Sequence, residues 1–484
     1  MDWQTVRTTF QRIWGYEDFR SPQGEIVQSL LSGRDALIVL PTGGGKSICF
    51  QLPALLQTGL TLVVSPLVAL MENQVQELRD RNLPAASLHS QLPSFQRKQT
   101  LRLLDKQSLR LLYLSPETLL SPPVWERLIQ PKLQINGLIL DEAHCLVQWG
   151  ATFRPAYRRL GAIRPALLQS KPAGTRMAIA AFTATADPKA REMIARCLQL
   201  ENPQSFLLNP YRKNLHLNVQ IVWTPRGRKQ KMLKFIQSKG KKSGLIYVRS
   251  RRDSEELARW FASLKYKVAA YHGGLSAEER REIEENWLRG KTQFVVCTSA
   301  FGMGINKPDV RWIVHFQAPQ LLSEYIQEVG RGGRDGKIAE ALTLMSEPTG
   351  LLNPEDKQRN QFFTQQQQKQ YEKAKKLAIN LPDRGNIEKI TKQFRGSQIA
   401  LSLLHSAGLL EWSNPFNYRF LGTVSSVFLQ KSLQNLSAEQ KQIQKQMSQY
   451  LNTRGCRWQF LLNAFGFEKD AIAFRCGHCD NCKN

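Results

Sequence analysis

Nine short apolar runs, each set between stretches of helical pattern, constrain this chain most. ALIVL (36–40), LTLVVS (60–65), LRLLYLS (109–115), NGLIL (136–140) and MAIAAF (177–182) form one series. After NPYRKN the pattern restarts with SGLIYV (243–248), KVAAYH (267–272), QFVVCT (293–298) and RWIVHF (311–316). Nearly continuous apolar strands that alternate with helices belong to parallel sheets covered on both faces. Two series predict two tandem α/β lobes, expected at 1–208 and 209–350.

From about residue 351 the character changes. QQQQKQYEKAKK is polar and helical, and IEKITKQF, GSQIALSLLHSAGLLEW and YRFLG read helix, helix, strand, turn, strand. That order predicts a winged-helix insertion over 351–427. Its wing strands are expected at Leu409 to Trp412 and Tyr418 to Leu421, with the turn SNPFN exposing Phe416 at the tip. There the ring could wedge against a base pair, while Lys389, Lys392 and Arg395 meet phosphates. A second polar helix opens a module at 428–484 that holds Cys456, Cys476, Cys479 and Cys482. Four soft thiolates suit tetrahedral zinc in a closed structural site, and disulfides are the alternative in an oxidising compartment. The module is expected to be separable from the lobes. The other four cysteines, Cys49, Cys145, Cys197 and Cys297, read as buried thiols.

The chain carries 67 Lys and Arg against 40 Asp and Glu, a net charge of +27. Such an excess favours a polyanionic partner, because basic side chains displace the counterions of phosphates. MDWQTVRTTF has no apolar core for a signal peptide and no run is long enough to span a membrane. A cytoplasmic monomer is expected, associated with the nucleoid if the source is bacterial.

LPTGGGKS (40–47) follows a strand and opens a helix. Thr42, Gly43, Gly44 and Gly45 let backbone N–H groups approach phosphate oxygens, Lys46 would pair with the β- and γ-phosphates, and Ser47 would hold magnesium. The first glycine of the usual phosphate-loop pattern is replaced by Leu40. LILDEAH (138–144) sets Asp141 and Glu142 at a strand end, where α/β sheets bind ligands. Asp141 would hold magnesium, directly or through water; Glu142 would orient or deprotonate the attacking water. QEVGRGGRDG (327–336) offers Gln327, Arg331 and Arg334 in a Gly-rich turn suited to charge on a transferring phosphoryl group. Directly after the acidic pair, Trp149, Phe153, Arg154 and Tyr157 look like a surface on which bases stack. The aromatics are also spaced four and four, the pattern of a buried helical stripe.

Together these motifs resemble superfamily 2 helicases and, within them, the RecQ family of DNA helicases. YEDFRSPQ (16–23), SPLVALMENQ (65–74), QWGATFRPAY (148–157), FTATA (182–186), YHGGLS (271–276), TSAFGMGINKPDVR (298–311) and the terminal cysteines carry the likeness over roughly 10–345 and 445–484. It implies two RecA-like lobes and an ATP-dependent helicase moving 3′ to 5′ on single-stranded DNA. Duplex or branched DNA would be unwound in recombination and repair, with ATP, Mg2+ and Zn2+ as cofactors and repair proteins as further partners. It also implies that Tyr16 stacks on adenine, that Arg20 and Gln23 read it, and that Thr183 and Thr185 couple ATP state to DNA. Arg331 and Arg334 would act as arginine fingers, and the aromatic-rich segment would contact the single strand.

The sequence departs from the family plan in two ways. The family commonly has His-Asp before the Phe and an acid before the Tyr of the aromatic segment, where this chain has Ala151, Thr152 and Ala156. The wing-like segment precedes the cysteines instead of following them, and no HRDC domain is evident. Two competing readings are an RNA-directed ATPase, against which YEDFRSPQ and QWGATFRPAY speak, and a non-catalytic DNA-binding protein, against which the intact Lys46, Asp141 and Glu142 speak.

Overall fold

The computed structural model describes residues 2–148, 154–302, 305, 307–422 and 426–483. The chain divides into two compact units, 1–208 with 369–437, and 209–368 with 438–484. The expected boundary at 427/428 therefore falls inside one helix, Ser426–Asn452.

The first unit is built on a parallel sheet of seven strands: β1 (Ala36–Val39), β2 (Leu60–Val64), β3 (Ala85–Leu88), β4 (Leu111–Leu114), β5 (Ile135–Leu140), β6 (Ala178–Thr183) and β7 (Gln204–Leu207). Their spatial order is β3-β4-β2-β5-β6-β1-β7, and every pairing is parallel. Five strands coincide with the apolar runs. β3 and β7 lie at the two edges, where short sequences such as AASL and QSFL need less apolar surface. Helices cover both faces, with Val39, Leu62 and Leu140 in one core and Ile38, Val63 and Ile139 in the other.

The second sheet has six parallel strands: β8 (Leu215–Val222), β9 (Gly244–Tyr247), β10 (Val268–Tyr271), β11 (Phe294–Cys297), β12 (Trp312–His315) and β13 (Ala339–Ser346), ordered β10-β11-β9-β12-β13-β8. β8 mixes buried with half-exposed and exposed residues because it is an edge strand, so no continuous apolar run marks it. The helix after β10, Ala277–Leu288, starts with the capping box foreseen from Ser276 and Glu279, each side chain bonded to the other's backbone N–H.

Residues 369–437 bring the winged-helix order into the first unit. The last part of helix Glu355–Ala378 leads to β14 (Arg384–Asn386), helices Ile387–Gln393 and Ser397–Ser406, β15 (Leu410–Asn414) and β16 (Asn417–Phe420). The three strands pair antiparallel in the order β14-β16-β15. Asn414 Oδ1 closes the wing turn by accepting from the backbone N–H groups of Phe416 and Asn417.

One expectation for this segment is overturned. Phe416 is not an exposed wedge. It packs partly buried on the core of the first lobe, edge-on to Trp125 with ring centroids 5.2 Å apart. Arg159 Nη1 donates to Pro415 O beside it at 3.1 Å. The second helix of the winged fold is also largely covered: Ser397 and Ala400 to Leu404 are all buried. The segment Pro155–Ala162 of the lobe packs against this helix and β15, with Ala162 inside the winged-helix core. The cause is compositional. SQIALSLLHS has apolar residues on more than one face, and a helix apolar nearly all round must be covered nearly all round. Lys389, Lys392 and Arg395 remain exposed.

Candidate active site

The phosphate loop leaves β1 and enters helix Lys46–Leu56. Gly43 and Gly45 have φ of +85° and +71°, a region that side chains disfavour. At Gly45 space forbids a side chain as well, since a Cβ would lie 2.3 Å from Gln23 Nε2. Lys46 Nζ donates to Leu40 O at 3.3 Å across the loop. Gln23 is buried, accepting from Arg20 N at 3.0 Å and donating to Gly44 O at 3.1 Å. It therefore joins the segment carrying Tyr16 and Arg20 to the phosphate loop. Tyr16 is 51% exposed, and Arg20 is exposed too.

Asp141 and Glu142 follow β5. Asp141 is buried and accepts from Gln74 Nε2 at 3.2 Å and from Glu142 N at 3.0 Å. Burial, then the Glu142 charge, push its carboxyl up to about 6, against the pull of Lys46 and Gln74. Glu142 adopts φ +51°, a left-handed conformation that is costly for a residue with a side chain and is held where the surroundings impose it. Its Oε2 lies 3.3 Å from His144 Nδ1. The same ring nitrogen is 3.1 Å from Thr183 Oγ1, and Thr183 Oγ1 bonds to both N and O of Thr185. The acidic pair after β5 is thus wired to the Thr-Ala-Thr segment that ends β6. A role for Thr183 and Thr185 was implied by FTATA, but the contacts of Gln74 with Asp141 and of His144 with Thr183 were not, their only signal being the place of Gln74 in SPLVALMENQ and of His144 in DEAH.

A buried carboxylate with a like charge beside it is a donor that a divalent cation satisfies. Asp141 fits magnesium on that ground, and Ser47, on the first turn of the loop's helix, would offer a hydroxyl to the same ion.

Of the aromatic segment, Trp149 and Phe153 lie outside the described residues. Arg154 is held by Glu117, with Nε to Oε1 at 3.0 Å, and also donates to Pro66 O. Tyr157 is fully buried in the core of the lobe. The buried-stripe pattern therefore holds at Tyr157, whose ring has no open face for a base, and Arg154 braces the segment against Glu117. Among the described residues Tyr157 Oη has no hydrogen-bond partner. Burying an unbonded hydroxyl costs about 1–3 kcal/mol, so Tyr157→Phe is expected to raise the melting temperature and leave DNA stimulation of ATP turnover intact. A melting temperature that falls together with DNA stimulation would assign the hydroxyl a contact.

In the second unit, helix Leu322–Val329 carries Gln327 and ends at Gly330. Arg331 Nη1 donates to Gly302 O, and a Cβ on Gly302 would lie 2.4 Å from the Arg331 guanidinium carbon. Arg334 Nη1 donates to Ile305 O at 3.0 Å. Both arginines are half-buried, held by the carbonyls of Gly302 and Ile305.

The sulfur atoms of Cys456, Cys476, Cys479 and Cys482 all lie within 4.8 Å of one another. Those of Cys476 and Cys482 are 3.9 Å apart, and tetrahedral zinc with bonds of about 2.3 Å sets its sulfurs about 3.8 Å apart. Backbone N–H groups of Cys476 and Cys479 point to Cys456 Sγ and Cys476 Sγ, each at 3.3 Å. All eight cysteines are free thiols, and Cys49, Cys145, Cys197 and Cys297 are buried as expected. The module packs directly on the lobe. Arg457 grips Asp480, and Asp480 Oδ2 accepts from Val219 N of β8 at 2.8 Å. Trp458 Nε1 donates to Leu215 O of β8 at 3.1 Å, and Cys456 and Cys479 sit in the core that contains β8 and β9 residues.

No helix among the described residues is long and apolar enough to cross a membrane. Three family models match the chain: DEAD/DEAH box helicase over 20–194, helicase conserved C-terminal domain over 227–336, and RecQ zinc-binding over 423–483. The chain is 52% identical to the ATP-dependent DNA helicase RecQ of Synechocystis over 99% of its own length and 98% of the relative's. It is 37% identical to the protein of that name in Haemophilus influenzae, over 71% of this chain and 54% of the relative. Among solved structures, the Mycobacterium smegmatis helicase Lhr bound to single-stranded DNA and AMP-PNP shares the fold, with TM-score 0.57 and 22% identity over 71% of this chain and 48% of that one. Full-length similarity to a RecQ protein, a phosphate loop backed by a buried acidic pair and a four-thiolate cluster docked on the second lobe converge: the chain belongs to the RecQ family of ATP-dependent DNA helicases.

Proposed function

We propose that this helicase translocates 3′ to 5′ on single-stranded DNA and opens duplex or branched DNA during recombination and repair. It does so as a cytoplasmic, nucleoid-associated monomer that works with repair proteins. The observation that supports the coupling is the continuous link from Glu142 through His144 and Thr183 to Thr185, beside a segment that would bear the strand. Tyr16, Arg20 and Gln23 take the adenine. Thr42, Gly43, Gly44, Gly45 and Lys46 take the phosphates, and Ser47 and Asp141 hold magnesium. Magnesium, when bound with ATP, neutralises charge on the β- and γ-phosphates. Glu142 holds the attacking water and accepts its proton, while Gln327, Arg331 and Arg334 serve the phosphoryl charge. Trp149 and Phe153 stack on bases, whereas Arg154 and Tyr157 anchor their loop.

Strand separation is assigned to the lobes rather than to the wing, because the Phe416 ring is committed to Trp125. The test compares ATP turnover with single-stranded DNA and RNA, and unwinding of duplexes bearing a 3′ or a 5′ tail. Stimulation by DNA and unwinding from 3′ tails is expected. Equal stimulation by RNA would favour the RNA-directed reading, and unwinding from 5′ tails would reverse the polarity.

A further inference from the structure

The second unit contains a cavity of about 880 Å³ to which the mechanism above assigns nothing. Its floor lies at the carboxyl ends of three adjacent parallel strands: Arg249 follows β9, Ala318 and Pro319 follow β12, and Met345 and Ser346 close β13. That is where ligands of open parallel sheets bind. Its walls are the first half of helix Glu355–Ala378 and the last turns of helix Ser426–Asn452, the two long polar helices that flank the inserted winged fold.

The charge of the lining is one-sided. Lys357 and Arg359 come from the first helix, Lys441 and Lys445 from the second. Lys357, Lys441 and Lys445 are exposed and, among the described residues, make no ion pair. Lys441 and Lys445 stand four residues apart on one helix face, an arrangement that repels unless an anion relieves it. Arg359 is only 20% exposed in its side chain, yet among the described residues its one ion pair is a long 3.4 Å contact to Asp356. The two carboxylates in the lining are already engaged. Asp356 accepts from Arg228 Nη2 at 2.9 Å and Ser346 N at 2.7 Å. Glu347 accepts from Thr349 N at 2.7 Å and Leu352 N at 3.0 Å. Asn360, Gln361, Thr364, Gln365 and Gln444 add uncharged donors that tolerate any base.

We infer that this cavity is a second binding site for single-stranded DNA, in which Lys357, Arg359, Lys441 and Lys445 hold consecutive phosphates. The site rests on the single-strand reading above and extends it. The long helices, besides connecting the winged fold to the second unit, become the wall of a strand channel on the second lobe.

The test is the salt dependence of binding to an oligothymidine strand by the full chain, compared with a Lys357→Ala, Lys441→Ala, Lys445→Ala triple variant. Each phosphate contact on a single strand contributes about 0.7 to the slope of log K against log salt, so the triple variant should lose about 2 from that slope and bind on the order of 100-fold more weakly at 0.1 M salt. The matching triple Lys→Arg variant should keep the wild-type slope. The replaced side chains are exposed, so the melting temperature should hold. Parallel salt lines for wild type and the alanine variant would overturn the site. So would an alanine variant whose KM for ATP rises while its DNA slope stays unchanged, since that would place a nucleotide in the cavity. A wild-type chain that binds no single strand would remove the parent reading as well, whereas wild-type binding with an unchanged variant slope removes this site alone.

Discussion

Glu142→Gln is expected to lower ATP turnover by about 10²–10⁴-fold, the range that a positioned general base supplies, while DNA affinity stays close to wild type. The amide keeps the size of the side chain but cannot accept a proton from water. The left-handed backbone at Glu142 is set by its neighbours, so the variant should fold. Lys46→Ala should be as inactive for a different reason, because it removes the positive charge at the mouth of the loop's helix. Measured ATP hydrolysis with saturating single strand checks both. Turnover in Glu142→Gln comparable to wild type would mean that another group handles the water.

The second large effect concerns the cysteines. Zinc binding by a small module supplies apparent folding energy of about 10–16 kcal/mol, and here the energy does not stay within the module. Trp458 and Asp480 cap the edge strand β8, and Cys456 and Cys479 share a core with the second lobe. Removing the ion, or making Cys479→Ser, should therefore expose a sheet edge as well as unfold the last segment. Thermal unfolding should show the second lobe destabilised, and the sample should aggregate on chelation. Elemental analysis should return one zinc per chain. A Cys479→Ser chain with wild-type melting and no tendency to associate would disconnect the cluster from the lobe.

The strands and the two phosphate-facing motifs could be read directly because their signals are local. A strand buried on both faces shows as a run such as LTLVV, and a phosphate loop shows as consecutive glycines before Lys46. What the sequence concealed depended on partners far along the chain. The wing turn falls within SNPFN but is narrower, at Pro415 and Phe416, and the fate of Phe416 depends on Trp125, nearly three hundred positions earlier. Tyr157 illustrates a different limit. Spacing marks which aromatics share a face, yet the same spacing serves a stacking surface and a core, and only the packing of Pro155–Ala162 decides between them. Asp141 and Glu142 are visible as a pair and Thr183 stands out within FTATA, whereas nothing in SPLVALMENQ singles out Gln74, which reaches Asp141 only through the fold.

The winged fold completes a unit whose other part was finished long before it in the chain. During synthesis the docking face at Trp125, Arg159 and Ala162 leaves the ribosome about 260 residues ahead of β16. At roughly 5–20 residues per second that is an interval of about 13–50 seconds, through which an apolar patch on the first lobe waits without its cover. Over that interval the uncovered face is open to non-native contacts. Slowing translation between residues 209 and 410 should then lower the yield of soluble protein more than an equal delay placed after residue 440.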